Sequence, residues 1–256
     1  MKDLHTYNEL LACDVTFDSQ RFITGGEDAT IRVYSLTEKK MINCCIKSAI
    51  EAYVDGHSMK ICFLRYHPRG EKLEEYSHIF ISGGWDRTVQ IWHDRFQHSL
   101  WVIHGPYLPC IDALDIDGEF NHILTASYER NKYILQVWRF PEDIIFDLQK
   151  CPEYKYFGTT HEPLVEIFDS TQPEKVQGFL AKWIGSSHML FAGRDASKVI
   201  ALDKSNLNTE GSLEDLPSGV VSACVLGYCS GILPQPVPVL SIASGNKIIH
   251  AQLKID

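Results

Sequence analysis

Residues 82–92 read Ser-Gly-Gly-Trp-Asp-Arg-Thr-Val-Gln-Ile-Trp, and they are the most informative segment of the chain. Its centre predicts a tight turn, and the residues on both sides favour strands. Asp86 follows Ser82 by four positions and precedes Trp92 by six, while His57 lies further upstream. We therefore predict two antiparallel strands joined by a turn, with polar side chains at fixed offsets.

The same offsets recur in residues 24–34, which carry Thr24, Asp28 and Tyr34 with the four- and six-residue spacing. Asn8 stands where the upstream histidine would align. This copy has asparagine and tyrosine where the other has histidine and tryptophan. We therefore expect it to form only part of the same polar network.

A weaker copy spans residues 125–138 and ends on Trp138. It has Glu129 in place of the aspartate, a turn that is three residues longer, and His104 one position away from the expected histidine. Repetition of one strand–turn–strand unit predicts a repeat architecture, because a single unit cannot bury its apolar faces alone.

The three copies resemble the repeats of the WD40 family, most closely over residues 24–34 and 57–92. The resemblance implies an all-β fold, a β-propeller of four-stranded blades that forms one domain over residues 1–256. A WD40 blade takes about 40–45 residues. The chain length of 256 residues therefore predicts about six blades.

The clear repeats occupy residues 8–149, and residues 150–256 are expected to form degenerate blades. Within the latter, residues 154–157 and 164–168 are predicted to be two strands of one blade. The final blade lacks an outer strand in this interpretation, and unpaired edge strands promote aggregation. Two alternatives remain open: residues 1–7 close the last blade, or the chain is a shortened member of a larger, here imperfectly closed propeller.

Composition predicts an ordinary globular protein. Apolar residues make up 45% of the chain and charged residues 22%, so a large core can form. No apolar run approaches the ~18 residues that a membrane-spanning helix needs, and the first residues do not begin a secretory signal. We expect an intracellular protein, cytoplasmic or nuclear, without a membrane partner.

The net charge of −9 argues against a nucleic-acid partner, because nonspecific affinity for phosphates comes from clustered Lys and Arg. The sequence contains neither a P-loop nor a dinucleotide-binding fingerprint. Its eight cysteines form no pair joined by histidines at zinc-ligand spacing. We therefore predict no metal, no cofactor and no small-molecule substrate.

His57, Ser82 and Asp86 are the residue types of a hydrolytic triad. The WD40 resemblance implies a different role, a structural tetrad that Trp92 completes. The indole N–H donates to the Ser82 hydroxyl, that hydroxyl to the imidazole, and the other imidazole N–H to Asp86. No oxyanion-hole motif accompanies these residues. We therefore favour a non-enzymatic protein and assign no catalytic residue; a propeller hydrolase is the less favoured alternative.

The residue before the tetrad aspartate points outward in WD40 propellers, on the face that most often holds partners. By this resemblance Glu27, Trp85 and Tyr128 occupy that position. Aromatic side chains beside arginine are typical of interaction hot spots, although they also serve to cover neighbouring blades. The same turns add four partner-binding candidates, Arg87, Arg130, Lys132 and Tyr133. We predict a scaffold or adaptor that binds a peptide or protein on this turn surface, with the lengthened third turn, residues 128–133, as its leading contact element.

A second functional hypothesis concerns Arg95. Substrate receptors of cullin-type ubiquitin ligases carry Trp-Asp-x-Arg just after the tetrad strand, and residues 92–95 read Trp-His-Asp-Arg, which puts Arg95 at the right offset. His93 departs from that pattern. The hypothesis is that Arg95 docks on a ligase adaptor; the alternative is an ordinary surface arginine.

Overall fold

The computed structural model describes residues 8–49, 54–129, 135–151, 153–167, 177–185, 187–193, 197–229 and 237–252. In chain order the first strands are β1 (Leu10–Val15), β2 (Arg21–Gly26), β3 (Ile31–Ser35), β4 (Lys40–Cys45), β5 (Ile61–Tyr66), β6 (Ile79–Gly84), β7 (Thr88–His93), β8 (Trp101–His104), β9 (Leu114–Ile116), β10 (His122–Ala126) and β11 (Leu135–Arg139). Then follow α1 (Asp143–Lys150), β12 (Gly158–Thr160), β13 (Val165–Ile167), β14 (Gly178–Ile184), β15 (His188–Gly193), β16 (Val199–Asp203), β17 (Thr209–Leu213), β18 (Val220–Cys229), β19 (Val237–Ser244) and β20 (Lys247–Gln252).

The chain divides into two compact units, and the first comprises Met1–Gly105 with Pro141–His161. Its described residues form two antiparallel meanders, β1-β2-β3-β4 and β5-β6-β7-β8. A fifth strand, β12, pairs parallel with β8 at the edge of the second sheet. The core joins both sheets through buried side chains, among them Ile23, Val33, Ile61, Phe80 and Trp92.

The second unit comprises Pro106–Phe140 with Glu162–Asp256. Its described residues form three sheets, with the strand orders β13-β11-β10-β9, β14-β15-β16-β17 and β18-β19-β20. The last two share a core that includes Leu180, Leu190, Val220, Leu240 and Ile242. Within the described residues, the last sheet has three strands.

The strand register repeats from sheet to sheet, which explains the sequence offsets. Trp92 lies opposite Phe80, Tyr34 opposite Phe22 and Trp138 opposite Ile123. The hydroxyl residue two positions further along the partner strand then lies on the same face of its sheet, because side chains alternate along a strand. The three copies are therefore the same hairpin in three sheets.

An acidic residue on the first strand of a sheet bonds to the backbone of the next sheet in both units. Asp14 on β1 accepts the backbone N–H of Tyr66 on β5 at 2.6 Å, and Asp115 on β9 accepts that of Trp183 on β14 at 2.9 Å. Burial raises the pKa of Asp14 above its ordinary value, and the bond from Tyr66 opposes that rise. These carboxylates hold adjacent sheets in register within each unit.

The prediction of one degenerate blade around residues 154–168 is wrong. β12 pairs with β8 in the first unit, whereas β13 pairs with β11 in the second. Along the chain, α1 and the turns around it separate β11 from its sheet partner β13. The short strands β12 and β13 therefore complete different sheets. The described residues thus form five sheets, against an expected number of about six blades.

Candidate functional site

The polar residues of the strongest repeat meet inside the second sheet of the first unit. Trp92 Nε1 lies 2.7 Å from Ser82 Oγ, Ser82 Oγ lies 2.6 Å from His57 Nε2, and His57 Nδ1 lies 2.9 Å from Asp86 Oδ2. An indole N–H can only donate and a carboxylate can only accept. The chain of donors therefore runs from Trp92 through Ser82 and His57 to Asp86.

Asp86 also fixes the turn between β6 and β7. Its carboxylate accepts the backbone N–H groups of Ser58 at 2.9 Å and Thr88 at 3.2 Å, and the Thr88 hydroxyl at 2.8 Å. Burial alone would raise the pKa of Asp86, but the imidazole of His57 and these hydrogen bonds lower it below its ordinary value. The turn is therefore anchored from several directions at once.

Gly84 is required by this network, and it was not among the residues predicted to form the site. A Cβ at this position would lie 2.9 Å from His57 Nδ1 and 3.1 Å from Asp86 Oδ1. The signal was present in the sequence, since Gly26 occupies the same place two residues before Asp28. The glycine leaves room for the imidazole beside the strand.

The buried position of Ser82 bears on the hydrolase alternative. Its side chain is fully buried, and its Oγ is engaged by both Trp92 and His57. A nucleophile must reach a substrate, and an oxyanion needs donors placed around it. The geometry therefore supports a structural role for these four residues.

The first sheet holds a divergent version of the network. Asp28 contacts Arg32 Nη2 at 2.6 Å and the Thr30 backbone N–H at 3.1 Å, so it is drawn toward the surface. Asn8 Oδ1 accepts the Asp28 backbone N–H at 3.1 Å. The hydroxyl of Thr24 is buried and makes no hydrogen bond to any described residue.

Tyr34 explains why Thr24 has no donor from β3. Its ring stacks on Phe22 with centroids 4.7 Å apart, and a tyrosine has no indole N–H to offer. Arg32 replaces the glutamine that lies opposite Ser82 in the second sheet, and this arginine binds Asp28. The partial tetrad therefore keeps the hairpin but not the buried hydrogen-bond chain.

The third copy retains one link. Trp138 Nε1 donates to Thr125 Oγ1 at 2.9 Å, as Trp92 does to Ser82. Glu129 lies in the turn that follows β10, and its backbone N–H is 3.4 Å from Ser127 Oγ. His104 lies at the end of β8 in the first unit, where its ring stacks on His161 at 4.7 Å.

Trp85 and Arg87 flank the anchored aspartate. Trp85 is half-buried and Arg87 is exposed. Lys60 Nζ lies 3.6 Å from the centroid of the Trp85 ring, and the Trp85 backbone N–H donates to the Lys60 carbonyl at 3.0 Å. We call Lys60, Trp85 and Arg87 the Trp85 surface.

Corresponding turns share a backbone conformation. Arg87 has a φ of +62° and Ala29, which follows Asp28, has a φ of +58°. Glu27 precedes Asp28, is exposed, and donates its backbone N–H to the Glu9 carbonyl at 3.0 Å. The two turns of the first unit therefore present Glu27 and Trp85 at equivalent positions.

Tyr128 lies in the second unit and is half-buried. Its ring lies 6.2 Å from that of Tyr107 and 6.4 Å from that of Phe179. These ring contacts are those expected of an aromatic residue that covers its own unit. The remaining predicted contact residues, Arg130, Lys132 and Tyr133, lie outside the described residues.

Arg95 is exposed and held at the end of β7. Its Nη2 lies 2.8 Å from His78 Nε2, and His78 Nδ1 lies 2.6 Å from the buried carboxylate of Asp94. Arg21 Nη1 forms an ion pair with Asp94 at 2.8 Å. Burial lowers the pKa of the neighbouring His93 to about 4. The guanidinium of Arg95 therefore has a fixed partner inside its own chain.

Comparison with known proteins agrees with this architecture. The family model for the WD domain, G-beta repeat, matches residues 2–35 and 48–93. Coronin-7 from Homo sapiens and Coronin-7 from Pongo abelii are each 33% identical over 76 residues, which is 30% of this chain and 7% of those proteins. The chain therefore matches only a small part of the length of these relatives.

Among solved structures, the WD40 β-propeller domain of Doa1 is similar with a TM-score of 0.59 and 15% sequence identity, over 94% of this chain and 68% of that chain. This likeness concerns the fold alone. No helix in the described ranges is both long and apolar enough to span a membrane. The matched segments contain the two repeats with the closest WD40 pattern, and the sheets repeat their hairpin; the chain carries WD repeats over these segments and has the fold of a WD40 β-propeller.

Proposed function

We propose that this protein is a non-enzymatic interaction scaffold that binds a peptide or a folded protein at the Trp85 surface. WD40 propellers commonly serve as protein-interaction scaffolds, and the fold alone does not fix a partner. One observation carries the proposal. Asp86, which lies between Trp85 and Arg87, accepts four hydrogen bonds: from His57, from the backbone of Ser58, and from the backbone and the hydroxyl of Thr88.

Anchoring matters because binding costs conformational entropy. A turn that is already ordered loses less freedom on association than a mobile one. The buried tetrad supplies that order without occupying the outward-facing side chains. Loops on a rigid scaffold are common places for recognition, and Trp and Arg are the residues most enriched in binding hot spots.

The chemistry of the Trp85 surface favours an acidic partner segment. Lys60 Nζ lies over the Trp85 ring, and Arg87 is exposed two positions further along the same turn. Opposite charges across an interface raise the association rate and fix the register of a bound segment. Glu27, on the equivalent turn, adds a carboxylate that would receive a partner's basic residue. We therefore expect an apolar side chain flanked by Asp or Glu to contact Trp85.

A photo-crosslinking side chain at position 87 of the intact chain tests the placement of this surface. Crosslinked partners are identified from cells, and their affinities for wild type and Trp85→Ala are then measured. We expect Trp85→Ala to weaken binding by about tenfold or more, which is the size of a hot-spot effect. Circular dichroism and thermal unfolding check that the variant is folded.

Phe146 provides the matched control. It is an aromatic residue of the same unit, 57% exposed on α1, with Lys150 Nζ 3.9 Å from its ring centroid. A crosslinker at position 146 and the variant Phe146→Ala should leave the partner unaffected. Equal crosslinking at both positions, or equal affinities of wild type and Trp85→Ala, would place recognition elsewhere.

A second candidate, the substrate receptor of a cullin-type ligase, is favoured by the geometry of Arg95. Its side chain is exposed at the end of β7 and oriented by His78. An oriented guanidinium loses little entropy when it binds a carboxylate. Affinity capture should then recover a ligase adaptor, and Arg95→Ala should reduce the recovery severalfold. Capture without any adaptor excludes this candidate and leaves the scaffold proposal intact.

A further inference from the structure

Three metal-ligating side chains meet on one sheet of the second unit. His188 begins β15, Asp203 ends β16, and Glu210 lies in β17. One ligand atom from each lies within 4.8 Å of the others, and His188 Nε2 is 2.7 Å from Glu210 Oε2. β15, β16 and β17 are neighbours in the sheet, and His188 pairs directly with Asp203 in the register.

The imidazole is oriented as metal-binding histidines usually are. The hydroxyl of Ser187 lies 2.7 Å from His188 Nδ1. When Nδ1–H donates to that oxygen, Nε2 carries the free lone pair and faces Glu210. A hydrogen-bond partner on the far ring nitrogen is a common feature of metal sites, because it fixes the tautomer and the ring plane. The side chain of His188 is only 10% exposed, so its position is fixed by packing.

The carboxylates are also positioned. Asp203 Oδ1 accepts the backbone N–H groups of Ser205 at 2.7 Å and Asn206 at 3.0 Å. Among the described residues, no hydrogen bond engages the second oxygen of Asp203 or of Glu210. Each carboxylate therefore retains an oxygen that can bind a cation.

The nearest lysine along the chain does not neutralise the cluster. Lys204 follows Asp203, yet its Nζ lies 3.5 Å from Asp117 Oδ2 and 4.1 Å from the ring centroid of Phe120. The ammonium group of Lys204 therefore interacts with Asp117 and Phe120. The cluster then carries two carboxylates and one imidazole, a donor set with net negative charge.

We propose that His188, Asp203 and Glu210 bind a divalent transition-metal ion of the zinc class. One imidazole nitrogen and two carboxylate oxygens suit zinc, whereas magnesium and calcium prefer oxygen ligands alone. Water would complete a tetrahedral site. The ion would link three consecutive strands, a role separate from partner binding at the Trp85 surface.

The sequence pattern predicted no metal site, because no cysteines and histidines stand together at zinc-ligand spacing. The present ligands stand 15 and 7 positions apart along the chain and meet only through strand pairing. Strand register, rather than local spacing, brings them together. No motif in the sequence alone identifies such a site.

Titration of the intact, metal-free protein with Zn²⁺ by calorimetry tests the proposal. We expect binding of one equivalent, an increase in unfolding temperature on binding, and at least a tenfold loss of affinity in Glu210→Gln and in Asp203→Asn. Ser187→Ala should weaken binding by about tenfold, the usual effect of removing a partner of a ligating histidine.

Two controls decide between this site and other zinc ligands. Glu214→Gln makes the same chemical change at an exposed position four residues after Glu210 and should leave the affinity unchanged. Seven described cysteines carry free thiols, so Co²⁺ spectra are recorded as well, because thiolate ligands add an intense near-ultraviolet charge-transfer band. A thiolate band on the tight site, an unchanged affinity in Glu210→Gln, or no saturable Zn²⁺ binding would each overturn the proposal.

Discussion

Replacement of Trp92 by alanine is expected to lower the free energy of unfolding by about 3–5 kcal/mol, the usual range for a buried tryptophan. Trp92 is 1% exposed, belongs to the core that joins β1–β4 with β5–β8, and stacks on Phe80 with centroids 6.1 Å apart. The variant removes this packing and also the indole N–H that donates to Ser82. Chemical denaturation followed by circular dichroism measures the loss.

Trp85→Ala is the matched comparison, because it makes the same substitution in the adjoining turn. Trp85 is half-buried and its ring contacts Lys60, so we expect a loss of about 1 kcal/mol, the scale of an exposed cation–π contact. Equal losses in the two variants would contradict the assignment of Trp92 to the core and of Trp85 to the surface.

Asp86→Asn is expected to destabilise the fold by about 1–3 kcal/mol, the cost of leaving buried donors unsatisfied. An amide oxygen carries no charge and cannot replace the carboxylate toward His57, Ser58 and Thr88 together. Asp28→Asn is the control, because Asp28 holds the same repeat position. Its ion pair with Arg32 is more than one quarter exposed, so the expected loss is below about 1 kcal/mol.

The effect of Asp86 should depend on pH in a defined direction. Its folded-state pKa lies below the ordinary value, so the carboxylate stabilises the fold above about pH 4. That contribution is lost as the pH falls through the lowered pKa. The stability difference between wild type and Asp86→Asn should be full near neutral pH and shrink in acid. A difference that grows in acid would contradict the account.

Residues 82–92 made much of the fold predictable. Their offsets recur at 24–34, and with a turn three residues longer at 125–138, because the strand register places an aromatic residue and a hydroxyl on the same face in each hairpin. The pairing of β15 with β16 was also predictable, since apolar residues at 189–192 and 199–202 lie on either side of a segment that contains Gly193 and Asp195. The alternation of apolar and polar residues and the residue types in turns each predict the structure of one local segment.

The helix α1 was missed, although its sequence contains ordinary helix signals. Pro141 precedes it, Asp143 lies in its first turn and Lys150 in its last, as helix ends favour. Ile144 and Ile145 are buried by the fold. A repeat interpretation assigns every segment to a blade, so an eight-residue insertion is easily absorbed into the loops.

The other features that the sequence did not predict depend on contacts between segments that are distant along the chain. β12 pairs in parallel with β8, a partner 57 residues away, and no local pattern encodes that choice. Lys60 lies against Trp85 because the backbone of Trp85 bonds to its carbonyl. The cluster of His188, Asp203 and Glu210 likewise needs three strands to be in register. Sequence spacing identifies hairpins, whereas these features depend on how hairpins and loops meet.

Hydrogen exchange of the indole N–H groups tests whether the polar residues of the strongest repeat are locked inside the sheet. NMR resolves the Trp92 and Trp85 indole protons in one sample. We predict that the Trp92 proton, fully enclosed and bonded to Ser82 Oγ, exchanges only through large-scale unfolding, orders of magnitude more slowly than that of Trp85. Exchange of the Trp92 proton as fast as that of Trp85 would contradict the account.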